Sequence, residues 1–203
     1  LNVIASSISG KTAEDGGGGI QNWRGTVYLD GTTLSSNYSH GDGGGGLKTV
    51  DGSTTLNNTT VTGNVIGGIV GEGAFWGSGG GVYSAGNQGS ELTITNSTIS
   101  DNVARKGGGI YSRGGTFSLN NTLVVGNSAT YWEHNVTTGG GIYVNTTNAT
   151  FTDSTISGNT AGENRGGGVT TSSSIILVNT TITGNSAPNN PDCVNDPPNG
   201  SGC

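Results

Sequence analysis

The sequence of 203 residues is poor in the residue types on which membrane spans, nucleic-acid surfaces and many enzymes depend. It has no methionine, two cysteines, four prolines and two histidines, and charged residues make up 10% of the chain. A net charge of −6 makes nucleic acid an unfavourable partner. Because no apolar run approaches the roughly 18 residues of a transmembrane helix, we expect no membrane span in this chain.

Catalytic and metal-binding motifs are also missing. The sequence contains neither GxSxG nor HExxH, and its histidines, His40 and His134, have no partner at ligand spacing. The acidic residues do not recur as a pair at one repeat position, as polysaccharide hydrolysis on a solenoid face would require. Asp101 and Asp153 do fall at repeat positions, but each takes the place of a turn residue. We therefore expect no catalytic role, no metal site and no cofactor.

Glycine is abundant, with 41 residues, and it marks a repeat that the chain writes six times. Each repeat has a glycine run followed by one aliphatic residue, namely Ile20, Leu47, Val82, Ile110, Ile142 or Val169. An asparagine follows 16 to 20 residues later, and the next aliphatic residue comes 8 to 18 residues after that. A wall of nearly constant length joined to a variable loop is typical of a solenoid.

Within the wall, apolar and polar residues alternate, as in LTITN from Leu92 and FSLNN from Phe117. This period of two predicts strands with one buried face, and no window has a sustained helical period. The pattern predicts two or three short strands in each repeat. These strands become stable when they stack on the same strands of the next repeat, with neighbouring strands about 4.8 Å apart. We therefore predict an all-β fold, a parallel β-helix (β-solenoid) of about six to seven rungs.

Alignment of the repeats gives two columns of asparagine. The first contains Asn58, Asn96, Asn121 and Asn179, with Asp153 at the same position. The second contains Asn37, Asn64, Asn102, Asn127, Asn159 and Asn185. Asparagine tolerates left-handed backbone geometry and bonds neighbouring backbone groups, which a turn inside a solenoid needs. We predict that both columns are internal ladders with a structural role rather than a binding role.

Two sets of side chains outside the core are candidates for contacts. A strip of tyrosines follows three successive glycine runs and is predicted to be exposed, and further aromatics lie in the variable loops: Tyr83, Tyr111 and Tyr143, then Phe75, Trp76, Tyr131 and Trp132. These rings suit either packing across the rungs or contacts with sugars and proteins. A second set, of Thr-x-Thr type, flanks the buried aliphatic residue of the last strand in each repeat. It admits ice binding as an alternative to the ordinary preference of exposed strands for threonine. Leu123 and Val125 interrupt it.

The two ends of the sequence depart from the repeat. Residues 1–187 are predicted to form a single solenoid domain, in which residues 1–15 are a partial first rung and the strand with Val3, Ile4 and Ile8 could pair with another subunit. Residues 188–203 contain all four prolines and are a candidate cap. Cys193 and Cys203 there suggest a disulfide in an exported protein, whereas two thiols make half a metal site. No signal peptide is visible, so we interpret the chain as mature or excised.

Ten N-x-S/T sequons occur in the sequence. Those within the predicted ladders, such as Asn58 and Asn96, are expected to be buried. The better candidates for glycosylation lie in loops or at strand margins: Asn135, Asn145, Asn148 and Asn199.

The segments GGGIYSRGG…LNNTLVVGN, GGGIYVNTTNATFTDSTISGN and GGGVTTSSSIILVNTTITGN resemble the right-handed parallel β-helix repeats of bacterial surface proteins, and are similar to polymorphic outer-membrane protein repeats. The resemblance covers residues 4–187 and implies right-handed coiling and export to the extracellular space or cell surface. It does not specify a function, because such folds host adhesins, fibre and surface-layer components, and lyases.

From these patterns we expect a non-catalytic structural or adhesive element that stacks head to tail in a fibre or surface layer, or contacts glycans on a cell surface. The alternatives are a carbohydrate-binding or polysaccharide-degrading β-helix module and, ranked lower, an ice-binding protein.

Overall fold

A computed structural model describes residues 1–67, 77–86, 89–130, 138–162 and 166–195. Short strands follow one another through these ranges, and the described residues form no helix. A helix long and apolar enough to cross a membrane is accordingly not found in the described part of the chain.

The described residues contain 27 strands, of two to five residues each. In chain order they are β1 (Asn2–Ile4), β2 (Ser7–Ser9), β3 (Thr12–Ala13), β4 (Ile20–Trp23), β5 (Thr26–Asp30), β6 (Thr33–Ser35), β7 (Tyr38–Ser39), β8 (Leu47–Val50), β9 (Ser53–Asn57), β10 (Thr60–Thr62), β11 (Val65–Ile66), β12 (Val82–Ala85), β13 (Glu91–Thr95) and β14 (Thr98–Ser100). The remaining strands are β15 (Val103–Ala104), β16 (Ile110–Arg113), β17 (Thr116–Asn120), β18 (Leu123–Val125), β19 (Ser128–Ala129), β20 (Ile142–Asn145), β21 (Asn148–Thr152), β22 (Thr155–Ser157), β23 (Thr160–Ala161), β24 (Val169–Thr171), β25 (Ile175–Val178), β26 (Thr181–Thr183) and β27 (Cys193–Asn195).

The strands form four parallel sheets, which the chain visits in turn on every rung. Sheet 1 follows the glycine runs and contains β4, β8, β12, β16, β20, β24 and β27. Sheet 2 runs from β1 to β25, sheet 3 from β2 to β26 and sheet 4 from β3 to β23, each taking every fourth strand. Three sheets have seven strands and one has six, which confirms the predicted right-handed parallel β-helix of about six to seven rungs.

The number of strands per rung differs from the prediction of two or three. Each complete rung has four, because the short segment after the second asparagine column also pairs with its equivalents and forms sheet 4. Its strands have two residues, such as Ser128–Ala129, and a pair of residues is too short to show an alternating pattern.

The core is a set of inward-facing aliphatic columns that run the length of the stack. In sheet 2, for example, Leu29, Leu56, Ile94, Leu119 and Phe151 occupy one register position and are fully buried. Burial of each such side chain stabilises the fold by about 1.5–3 kcal/mol relative to exposure. Because the column repeats on every rung, the period-two pattern of the sequence is sufficient to build it.

The glycine runs lie where the chain enters sheet 1, and the rungs approach closely there. A Cβ added to Gly108 would lie 2.4 Å from the carbonyl oxygen of Gly140 on the next rung, so a side chain does not fit. Gly107 has a φ of +58°, a left-handed geometry that favours glycine. Close backbone packing therefore explains the glycine runs.

The segment after residue 187, predicted to be a cap, contributes a strand to the solenoid. Within it, β27 pairs in parallel with β24 and becomes the last strand of sheet 1. Sheets 2 and 3 end earlier along the chain, at β25 and β26, respectively.

Candidate functional site

The tyrosine strip lies on the outer side of sheet 1. Tyr83, Tyr111 and Tyr143 are in register on β12, β16 and β20. Their rings stack face to face, with centroids 5.1 and 5.0 Å apart and planes within 6° of parallel. The prediction of an exposed strip is wrong in this respect, because the three side chains are half-buried and the rings cover one another's faces. Cross-rung packing, one of the two interpretations, accounts for this geometry.

A lysine lies over the ring at each end of the tyrosine stack. The Nζ atoms of Lys48 and Lys106 lie 5.9 Å from the ring centroids of Tyr83 and Tyr143, respectively, within the range of a cation–π contact. Burial raises the pKa of Tyr111 to about 12, an effect that the neighbouring tyrosines reinforce and that Arg113 opposes. Burial, followed by the charge of Asp42, also raises the pKa of Tyr83. The hydroxyls of Tyr83 and Tyr111 therefore stay protonated at neutral pH. Because the rings are stacked face to face, they offer little ring face to a sugar.

The loop aromatics that were predicted to complete this surface cannot be placed beside it. Phe75, Trp76, Tyr131 and Trp132 all lie outside the described residues, so their contact role stays a prediction.

The second asparagine column forms a continuous ladder at the corner between sheets 3 and 4. Each Nδ2 donates to the Oδ1 of the equivalent asparagine on the next rung, over 2.9–3.0 Å from Asn37 through to Asn185. Each Oδ1 from Asn64 onward also accepts the backbone N–H of the preceding column member. The ladder ends at Asp192, whose carboxylate accepts both the backbone N–H and Nδ2 of Asn185.

The first asparagine column is not an internal ladder, and this prediction is wrong. Asn58, Asn96, Asn121, Asp153 and Asn179 are exposed at the corner between sheets 2 and 3, with φ between 43° and 51°. The left-handed residue turns the chain there, and its side chain points outward. Outside, Asn121 Nδ2 donates to Asn96 Oδ1 (2.8 Å), and Asn179 Nδ2 donates to Asp153 Oδ1 (3.1 Å).

The internal polar groups at that corner belong to the next residue of each repeat. These are Thr32, Thr59, Ser97, Thr122 and Ser154, which sequence reasoning missed; Thr180, on the last rung, is half-buried. The Ser97 hydroxyl, for example, donates to the carbonyl oxygen of Thr95 and accepts the backbone N–H of Thr59. The invariable Ser or Thr after the turn residue was the available signal.

Sheet 3 presents two straight outer columns. The first contains Ser7, Thr33, Thr60, Thr98, Leu123, Thr155 and Thr181, and the second contains Ser9, Ser35, Thr62, Ser100, Val125, Ser157 and Thr183. The register is the predicted one. Leu123 is 38% exposed in the middle of a column of hydroxyls.

A shallow groove of about 370 Å³ lies where the outer face of sheet 3 meets the exposed first asparagine column. It spans three rungs and is lined by Asn96, Ser97, Thr98, Asn121, Thr122, Leu123, Asp153 and Thr155. Amides, hydroxyls and one carboxylate therefore surround a single aliphatic side chain. Sequence reasoning did not bring these residues together, because it placed the asparagines inside.

The sequons divide by exposure. Asn145 and Asn148 are exposed, as their selection as glycosylation candidates requires, whereas Asn135 and Asn199 lie outside the described residues. Among the sequons expected to be inaccessible, those in the first column are exposed because the turn faces solvent, as at Asn96.

Other predicted site residues lie at the two ends of the stack. Cys193 is in β27, but Cys203 lies outside the described residues, so their disulfide stays a prediction. Val3 and Ile8 pack against the core from the first strands, while Ile4 faces outward and is 58% exposed.

Within the described ranges, no group of three or more His, Cys, Asp or Glu side chains is placed to hold a metal ion. Comparison with known proteins gives no match to a protein-family model, to a curated protein or to a solved structure.

Proposed function

We propose that the protein is a non-catalytic extracellular structural or adhesive element that associates with further copies of itself end to end. In this proposal the repeats are those of bacterial surface proteins, as their resemblance suggests, and the tail is closed by a disulfide between Cys193 and Cys203. The chain lies outside the membrane.

The observation that carries the proposal is the apolar edge at β25. This strand ends sheet 2, although the chain runs on beyond it, and Ile176, Leu177 and Val178 are 61%, 38% and 43% exposed. Leu177 occupies the inward column of the core, in which every earlier rung has a covered residue from Leu29 to Phe151. An exposed strand edge with apolar side chains favours pairing with another strand.

A second copy of the chain supplies a matching surface. Within the chain, Val3 and Leu177 belong to one inward column of sheet 2, and Ile8 and Ile182 belong to one inward column of sheet 3. In the proposed contact the same register continues between copies, with Val3 over Leu177 and Ile8 over Ile182. All four are partly buried or exposed members of aliphatic core columns. Because the two surfaces differ, the contact is heterologous and propagates into a filament.

Sedimentation velocity and negative-stain electron microscopy of the purified chain test this. We expect concentration-dependent assemblies for the unaltered protein. We expect monomers for Leu177→Lys, which places a charge in the apolar edge at β25. Thr93→Lys is the matched control, since it adds the same charge to the outer side of sheet 2 in the middle of the stack, away from β25. A monomeric unaltered chain, or filaments of Leu177→Lys, would contradict the proposal.

Two other functions remain candidates. The straight hydroxyl columns of sheet 3 keep ice binding as a lower-ranked one, for which thermal hysteresis of the same samples is the measurement. The other candidate is a carbohydrate-binding or polysaccharide-degrading module. The exposed corner between sheets 2 and 3 supports it more than the tyrosine stack does.

A further inference from the structure

Two residues that depart from the repeat lie in the groove between the first asparagine column and sheet 3. Leu123 stands where the other rungs have Ser or Thr, and Asp153 stands where neighbouring rungs have Asn. Both line the same groove, although they belong to successive rungs. Exposing a leucine forgoes the free energy of its burial, and the other rungs show that threonine fits the position. The fold therefore does not require either residue.

The lining has the chemistry of a site for an uncharged, hydroxyl-rich molecule. Leu123 supplies an aliphatic floor, while Asn96, Asn121 and Asp153 supply polar groups along one side. None of the described lining residues is a lysine or arginine, and the carboxylate of Asp153 disfavours an anionic ligand. A purely apolar ligand would leave the amides and the carboxylate without partners.

The polar side chains are held in place by their mutual contacts. Asn121 Nδ2 donates to Asn96 Oδ1, so each amide commits one group to the other and retains a second hydrogen-bonding group. Asp153 accepts from Asn179 through Oδ1, and a carboxylate has a further oxygen that can accept from hydroxyls. Side chains that are already oriented lose less entropy when a ligand binds.

We propose that this groove binds a neutral glycan chain. A sugar ring lies with its C–H face on Leu123, and its hydroxyls bond Asp153 and the amides of Asn96 and Asn121. Because equivalent positions recur on each rung at about 4.8 Å, an extended chain contacts several rungs at once. This proposal is independent of end-to-end association, since the groove lies on the side of the stack.

Isothermal titration calorimetry with cellohexaose, xylohexaose, mannohexaose and chitohexaose is the test. We expect the unaltered protein to bind at least one of the four. Leu123→Thr and Asp153→Asn should each weaken that binding about tenfold or more, the loss that follows when an apolar contact or a charged hydrogen-bond acceptor is removed. Both changes restore the residue of neighbouring rungs, so circular dichroism and the melting temperature should change little.

Two controls separate the groove from the rest of the surface. Thr60→Leu places the same leucine in the same column two rungs away, and Tyr111→Phe alters the tyrosine stack; both should bind like the unaltered protein. Failure of all four oligosaccharides to bind would overturn the proposal. So would undiminished binding by both groove variants, or equal affinity for the anionic chain oligogalacturonate.

Discussion

The two asparagine columns lie six residues apart on the same rungs, yet their surroundings are opposite. Asn64 is fully buried, and its amide exchanges hydrogen bonds with both neighbouring rungs. Asn58 is exposed, has a φ of 46°, and donates to Asp30 across the outer surface. One asparagine is required for its side-chain amide, and the other for the backbone conformation it tolerates.

Because their surroundings differ, the two positions tolerate different replacements. Where the amide is buried, a replacement must supply a donor and an acceptor of the same shape, and glycine does not. Where the residue is exposed and left-handed, a replacement must reach positive φ, which glycine does without strain. We therefore expect Asn→Gly to be costly at the buried corner and nearly neutral at the exposed corner, although both corners have asparagine.

The largest effect is expected for Asn64→Ala. The substitution removes the acceptor of the Asn37 backbone N–H and Nδ2 and the donor to the Leu34 carbonyl oxygen. Buried groups left without partners make this cost roughly 3 kcal/mol of unfolding free energy, measured by urea denaturation. Asn64→Gly should cost at least as much. A loss close to zero for either variant would mean that the ladder does not stabilise the fold.

An intermediate effect is expected at the end of the ladder, for Asp192→Ala. Asp192 accepts two hydrogen bonds from Asn185 at 3.1 and 3.0 Å, in a partly buried position. Loss of a charged acceptor there should cost about 1.5 kcal/mol in the same urea titration.

Asp192→Asn is the control, because it keeps an oxygen acceptor and should recover most of that loss. Equal losses for the two variants would show that the carboxylate charge, rather than the ladder geometry, is what matters at this end.

Much of the fold follows from local patterns. The alternation around Leu92 and Phe117 predicts inward columns, and the structure places these two residues opposite each other on neighbouring strands. The nearly constant spacing from Val82 or Ile110 to the next ladder asparagine predicts the stacking register. These features repeat on every rung, so each rung independently supports the same prediction of fold and register.

The site was less accessible to sequence reasoning, because it depends on which way a corner bends. Asparagine is compatible with the positive φ that Asn96 and Asn121 adopt, but the sequence does not show that their side chains point outward. Their inward assignment hides the groove that they line. Alternation gave the outward side of Tyr111 but not the face-to-face contact that covers its ring. Asp192 lies in an irregular tail, where no repeat predicts its contact with the ladder.

The smallest effects, and the sharpest contrast with the ladder, are expected for Asn58. Alanine in a left-handed conformation is strained, so Asn58→Ala should lower the unfolding free energy by about 1 kcal/mol. Asn58→Gly should change it by less than about 0.5 kcal/mol, because glycine adopts this φ freely and the lost bond to Asp30 is exposed to water. Urea titrations of the four variants at Asn58 and Asn64 give the comparison directly. If Asn58→Gly were as damaging as Asn64→Gly, the side chain rather than the backbone would govern the exposed corner as well.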